Sequence, residues 1–221
     1  MIVFRCSSLG KLMTNGRGKA PVMGATSESL VKEMWLENNY GIKKEFWSKY
    51  TDKGNEMEDQ AIQFAGEVLD WDFCVKNEER FTNEWITGEP DILTEDLLAD
   101  IKCSWDGSTF PFFDSELKNK DYYWQMQGYM WLTGKDEAEL VYCLMNTPLE
   151  IVEDEVRRAH WKGNMIEESE LLREAVESQH NFDNLEDSKR IKRFIVKRNE
   201  EDIERLKARI TEAREYYDSL N

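Results

Sequence analysis

The chain is poor in the residues that build disulfide frameworks and soft-metal centres, with four cysteines and two histidines in 221 residues. Cys6, Cys74, Cys103 and Cys143 lie far apart and form no C-x-x-C pair. With only His160 and His180 to help, zinc or iron–sulfur ligation is not expected, and buried thiols are. No apolar stretch reaches the roughly twenty residues that a membrane helix needs. The opening Met1-Ile2-Val3-Phe4-Arg5 is too short for the apolar region of a signal peptide. A cytoplasmic protein with no membrane partner is the expectation. The sequence shows no internal repeat and no low-complexity tract.

Basic charge is scarce as well: 29 Lys and Arg against 45 Asp and Glu leave a formal charge of −16. That disfavours a protein holding nucleic acid by electrostatics alone, because phosphate contacts supply most of such affinity. A carboxylate-lined metal site is acidic by necessity, however, and a bound divalent ion reverses the local sign. The cations cluster at Lys11, Arg17 and Lys19, and again at Lys189, Arg190, Lys192, Arg193, Lys197 and Arg198. Either cluster suits a solvated face or a DNA contact.

What is abundant is core-forming material. The chain is 40% hydrophobic, with eight Trp, eight Tyr and ten Phe, enough for one domain over residues 1–221. An extended start leads to a short helix opening at Ser7-Ser8, where a serine N-cap could hold a phosphate. Residues 15–21 read as a glycine-rich, basic loop suited to DNA contact. Helices are expected over 28–38 and 54–69, then strands over 72–76, 85–93 and 97–103. A buried helix at 122–132, a strand at 138–145, a largely helical stretch at 153–179 and a strand at 190–197 follow. In the last helix Asn199 is a good N-cap. Its seam of Ile203, Leu206, Ile210, Ala213, Tyr217 and Leu220 suits packing on the sheet.

The chemistry concentrates at Asp91 and at Asp100-Ile101-Lys102. On a strand, alternation puts Asp100 and Lys102 on one face. Ile92-Leu93, Thr94-Glu95-Asp96 and Leu97-Leu98-Ala99 read as strand, turn and strand, a hairpin that brings Asp91 beside Asp100. The acid-x-Lys triplet is a weak signal, since composition alone yields roughly three or four. Glu116-Leu117-Lys118 and Asp187-Ser188-Lys189 are rivals, but neither is embedded in an apolar run, where an ion pair is costly unless it binds something. Glu58 falls on a helical stripe with Ala61, Ile62 and Ala65, whereas Glu56 and Asp59 face solvent. The structural alternative is a core-edge glutamate paired with a nearby lysine or arginine. Gln125 is a polar group on a mostly apolar helix and needs a partner if buried.

Gly54-x-x-x-Glu58-x-x-Ala61, Glu89-Pro90-Asp91, Asp100-Ile101-Lys102-Cys103, Tyr122-x-x-Gln125-x-Gln127 and Met130-Trp131-Leu132-Thr133 occur in one order. Together they resemble the phage-type recombination exonucleases of the lambda exonuclease and YqaJ kind, within the PD-(D/E)XK nuclease superfamily. Ser7-Ser8 resembles the family's N-terminal serine, and Phe194-Ile195-Val196-Lys197-Arg198 with the last helix resembles its closing strand and helix. The resemblance implies an α/β (α+β), restriction-endonuclease-like fold: a central mixed sheet flanked by helices, with a helical insertion at about 148–188 before the last strand and C-terminal helix.

It further implies that Glu58, Asp91, Asp100 and the backbone carbonyl of Ile101 ligate Mg²⁺, with Mn²⁺ as a substitute. Lys102 would orient or deprotonate the attacking water, Gln125 would reach into the site, and Ser8 would touch a DNA phosphate near the strand terminus. Lys11 belongs to the same DNA-binding end. The family's arginine for the terminal 5′-phosphate falls at Met1 here, leaving Arg5 as its substitute, and Asp100 stands where Glu is usual. The implied activity is exonucleolytic degradation of linear double-stranded DNA from its ends, 5′ to 3′. Its implied setting is phage-type recombination beside a single-strand annealing protein, in the host cytoplasm, as a ring-shaped trimer. The alternatives are a non-catalytic DNA-binding or interaction module of the same fold, and an endonuclease of the same superfamily.

Overall fold

The computed structural model describes residues 2–18, 22–44, 48–72, 75–164 and 169–220. The strands are β1 (Phe4–Arg5), β2 (Phe81–Thr82), β3 (Ile86–Gly88), β4 (Ile92–Leu93), β5 (Leu98–Cys103), β6 (Glu137–Cys143) and β7 (Ile191–Lys197). The helices are α1 (Leu9–Leu12), α2 (Ala25–Tyr40), α3 (Lys49–Leu69), α4 (Lys120–Thr133), α5 (Leu149–Lys162), α6 (Glu170–Ser178) and α7 (Glu200–Ser219). A mixed sheet runs β4-β5-β6-β7, with β5 and β6 parallel and the outer pairs antiparallel. A smaller mixed sheet runs β1-β3-β2. The expected mixed-sheet α/β fold is present, with helices on both faces.

Alternation along β5 separates two cores. Leu98 joins Leu140, Phe194 and Val196 against α4 and α7, while Ala99 and Ile101 join Val141 and Cys143 against Met57, Ala61, Ile62 and Ala65 of α3. A one-residue slip would send each set to the wrong face, so the two cores pin the register of β5. The crossover between parallel β5 and β6 is α4, capped by Asn119, whose side chain accepts from the amides of Asp121 and Tyr122. This helix lies hard against the N-terminal turn. A Cβ on Gly128 would sit 2.6 Å from Leu9 Cδ1 and 2.9 Å from Cys6 Sγ, so only glycine permits the approach.

Several boundaries depart from the sequence reading. The strand expected over 85–93 is two strands in different sheets, β3 and β4, parted by Glu89-Pro90-Asp91. Pro90 has no N–H for a ladder, which ends one pairing before the next begins. Helix α3 starts at Lys49 with Ser48 as its cap, so Gly54 lies inside the helix. The stretch 153–179 is two helices, α5 and α6. Of the strand expected over 72–76, Asp72, Val75 and Lys76 form none, and Phe73 and Cys74 lie outside the described residues, as does Lys19. Neither Ser7 nor Ser8 caps a helix with its side chain; the Ser8 hydroxyl turns back to donate to the Arg5 carbonyl at 2.7 Å. Asn199 does cap α7, accepting from Glu201 and Asp202, and Ile203, Leu206, Ile210 and Ala213 are buried beneath that helix.

Candidate active site

Asp100 and Lys102 leave β5 on the face toward α4, as alternation requires. Asp100 is 1% exposed. Its Oδ1 accepts from Gln125 Nε2 at 3.2 Å. Its Oδ2 lies 2.5 Å from Lys102 Nζ yet has no hydrogen bond of acceptable geometry. The Lys102 ammonium also sits 5.2 Å from the centroid of the Tyr122 ring. Burial opposes the charge of Lys102, but Asp100, Asp91 and the contact with Asp100 outweigh it and hold the pKa above that of an ordinary lysine.

Asp91 reaches the same edge by a different route. The two residues of β4 pair only with Leu98 and Ala99, and beyond them Asp91 Oδ2 accepts the Ile101 N–H at 2.6 Å, in place of a neighbouring strand. The N–H and C=O of one strand residue point the same way, so the Ile101 carbonyl is directed to this edge too. Burial, and then the charge of Asp100, push the Asp91 carboxyl up to about 8. A cation between the two carboxyls would reverse that preference.

Gln125 Nε2 also donates to the Tyr129 hydroxyl at 2.9 Å, and Tyr129 donates to the Glu89 carbonyl at 3.2 Å. This buried chain ties α4 to the segment just before Asp91. Tyr129 was not singled out from sequence, although it stands one turn beyond Gln125 at i, i+4. A second omission is Lys53, one turn before Met57 on the apolar stripe of α3.

Glu58 is half-buried at the rim of that stripe, with Glu56 and Asp59 exposed. Its Oε2 lies 3.2 Å from Lys76 Nζ, which also meets Asp59 at 3.0 Å. The ion-pair alternative is therefore what the structure contains, although the charge of Glu58 still reaches Asp91. Among the described residues, no three His, Cys, Asp or Glu side chains are gathered as a ligand set. Three carboxylates repel one another without a cation between them. The donors nevertheless suit a hard divalent ion: two adjacent carboxyls, a carbonyl edge, and a buried Asp100 oxygen whose partner is the Lys102 ammonium.

Arg5, Ser8 and Lys11 do not join the carboxylates but line a separate cavity of about 910 Å³ with Lys43, Lys44 and Arg214. Arg5 also lines a smaller polar cavity, of about 360 Å³, that includes Glu89 and Tyr129. The C-terminal basic cluster is partly committed within the fold: Arg193 lies 3.5 Å from Glu139, and Arg198 donates to the Met130 carbonyl at 2.7 Å. Of the rival triplets, Lys118 pairs with Asp114, and Lys189 lies on an exposed turn beside Glu186. His160 accepts the Ser169 N–H, His180 shares a hydrogen bond with Thr147, and Cys6, Cys103 and Cys143 are thiols. Among the described residues no helix is long and apolar enough to cross a membrane.

Sheet, flanking helices and the carboxylate–lysine cluster at the end of a two-residue edge strand together define a nuclease-like α/β fold. The structure is similar to that of a phage-related exonuclease from Haemophilus somnus 129PT, at 36% identity over 99% of this chain and 95% of that one, with a TM-score of 0.80. The chain belongs to this family of phage-related exonucleases, as its motifs imply. An alkaline exonuclease from Laribacter hongkongensis, solved alone and in complex with dAMP, shares the fold at 17% identity over 98% of this chain and 88% of that one, with a TM-score of 0.64. No family model and no curated protein matches the chain.

Proposed function

We propose that this chain is a divalent-metal-dependent exonuclease that degrades linear double-stranded DNA from its ends, 5′ to 3′. The observation that carries the reading is the buried Asp100, clamped between Lys102 and Gln125 and set beside Asp91. Asp91, Asp100 and the Ile101 carbonyl would hold Mg²⁺ or Mn²⁺, with Glu58 joining on release from Lys76. A hard cation there supplies Lewis-acid stabilisation of phosphoryl oxygens and a more acidic water. Lys102 holds the attacking water by donating to it and faces the charge that develops on the phosphate. Gln125 keeps Asp100 from rotating, and Tyr129 keeps Gln125. Arg5, Ser8 and Lys11 would meet phosphates near the strand end. A single-strand annealing partner, a trimeric ring and a place in phage-type recombination complete the reading, on the family membership alone.

The test is digestion of 5′-phosphorylated linear duplex and closed circular DNA with Mg²⁺, with EDTA, and by Lys102→Ala. Loss of the linear substrate alone, only with metal and wild-type protein, is the expected result. Cleavage of the circle would make the protein an endonuclease. The Glu58–Lys76 pair favours one other reading, a non-catalytic module, which absence of metal-dependent cleavage would select.

A further inference from the structure

The segment joining β5 to α4 carries an aromatic surface that the catalytic cluster does not use. Phe113 is 99% exposed and Phe112 38%, with ring centroids 6.3 Å apart. They border a cavity of about 300 Å³ whose walls include Phe110, Tyr142 and Phe194. Ring contacts connect this cavity to the active site. Lys102 stands over Tyr122, Tyr122 lies 6.0 Å from Tyr142, and Tyr142 lies opposite Lys102 in the β5–β6 register. The rim's polar groups are committed within the fold: Ser108 and Thr109 to Asp106, and Lys118 to Asp114. Aromatic faces remain for a ligand, with the Lys192 ammonium 5.8 Å from the Phe194 ring centroid.

We infer that this cavity is a base-binding subsite, which takes the nucleobase beside the scissile phosphate by stacking on Phe112 and Phe113. The inference rests on the nuclease reading above. A cavity of about 300 Å³ is at the small end of ligand sites and suits one base. Two phenyl rings fall far short of the roughly 800 Å² per partner that a stable copy–copy interface buries. Stacking without hydrogen-bond readout accepts every base, as a nuclease working along a strand requires.

The experiment places 2-aminopurine at the first, second or third nucleotide from the end of a linear duplex and follows its fluorescence on binding in EDTA. Quenching at one position is expected with wild type and lost with Phe113→Ala and Phe112→Ala, whose side chains are not buried. End binding should weaken about tenfold, the size of a typical base–aromatic stack. With Mg²⁺, KM should rise while kcat changes little. Identical quenching in wild type and variants would overturn the inference. So would conversion of an oligomer to monomers by Phe113→Ala, in sedimentation, with the quenching intact, because the rings would then serve a copy–copy contact. The fluorescence needs no cleavage, so the two failures are separable: quenching lost in the variants without any metal-dependent cleavage would keep the subsite and remove the nuclease reading.

Discussion

Lys102 projects from β5 on the face toward α4, whereas Lys53 comes from α3 on the opposite face of that strand, the first among carboxylates and the second among aromatic rings. Lys53 is 1% exposed; its Nζ donates to the Trp105 carbonyl at 2.8 Å and lies 6.0 and 5.7 Å from the Trp105 and Phe182 ring centroids. Burial lowers its pKa to about 8, and the weaker pulls of Cys103 and Asp106 do not restore it. Burial opposes the charge of Lys102 too, yet its pKa is raised, because two aspartates answer it. Burial alone therefore does not decide the charge of a lysine; the partner set does. One partner set is a candidate reaction centre, while the other secures the turn just after β5.

Exchanging the two lysines for neutral residues should break this symmetry most visibly. Lys102→Ala should slow DNA cleavage by roughly 10²–10⁴-fold, the range of a lost proton-handling group, in steady-state assays. It should also cost about 3 kcal/mol in urea denaturation, because Asp100 is left buried and unanswered. Equal loss of cleavage in Lys53→Met would show that the two sites do the same work. Gln125→Leu comes next: it strips Asp100 Oδ1 and Tyr129 of a donor and should cost about 1–3 kcal/mol of stability. Its cleavage rate should fall roughly tenfold, unless Asp100 keeps its orientation without Gln125.

Lys53→Met sharpens the contrast through pH. Folded Lys53 has a pKa of about 8 against 10.5 for an ordinary lysine, so the folded state binds fewer protons between those values and stability rises with pH there. The penalty of the buried charge is fully present below pH 8. The variant should be more stable than wild type by about 1–2 kcal/mol at pH 7, with the gap closing toward pH 10.5 in denaturant titrations. The smallest effect is expected at the rim. Lys76→Ala breaks a largely exposed pair and should change stability by less than about 0.5 kcal/mol. It should also tighten Mg²⁺ binding in calorimetry by freeing Glu58, and unchanged affinity would remove Glu58 from the ligand set.

The reasons some of this was legible in sequence are local. Alternation on β5, the turn closed by Thr94 N–H donating to the Leu97 carbonyl at 2.8 Å, and the Asn199 cap are set by neighbours in the chain. Gln125 announced itself as a polar group on an apolar helix. The division of 85–93 between two sheets was not visible, because strand propensity carries no information about which sheet a segment joins. Lys53 was missed for a related reason: a lysine on an apolar stripe looks like an edge residue until Trp105 and Phe182 close over it.

By itself, then, the order of residues determined the succession of helices and strands and the shared face of Asp100 and Lys102, which depend on periodicity and short spacing, and the family motifs, whose resemblance implied the mixed-sheet architecture. Only the tertiary structure decided that Glu58 answers Lys76, that Gln125 reaches Asp100, and that Tyr129 reaches the Glu89 carbonyl. Those choices are competitions among charges and donors from distant segments, and distance in space, which one-dimensional spacing does not encode, settles them.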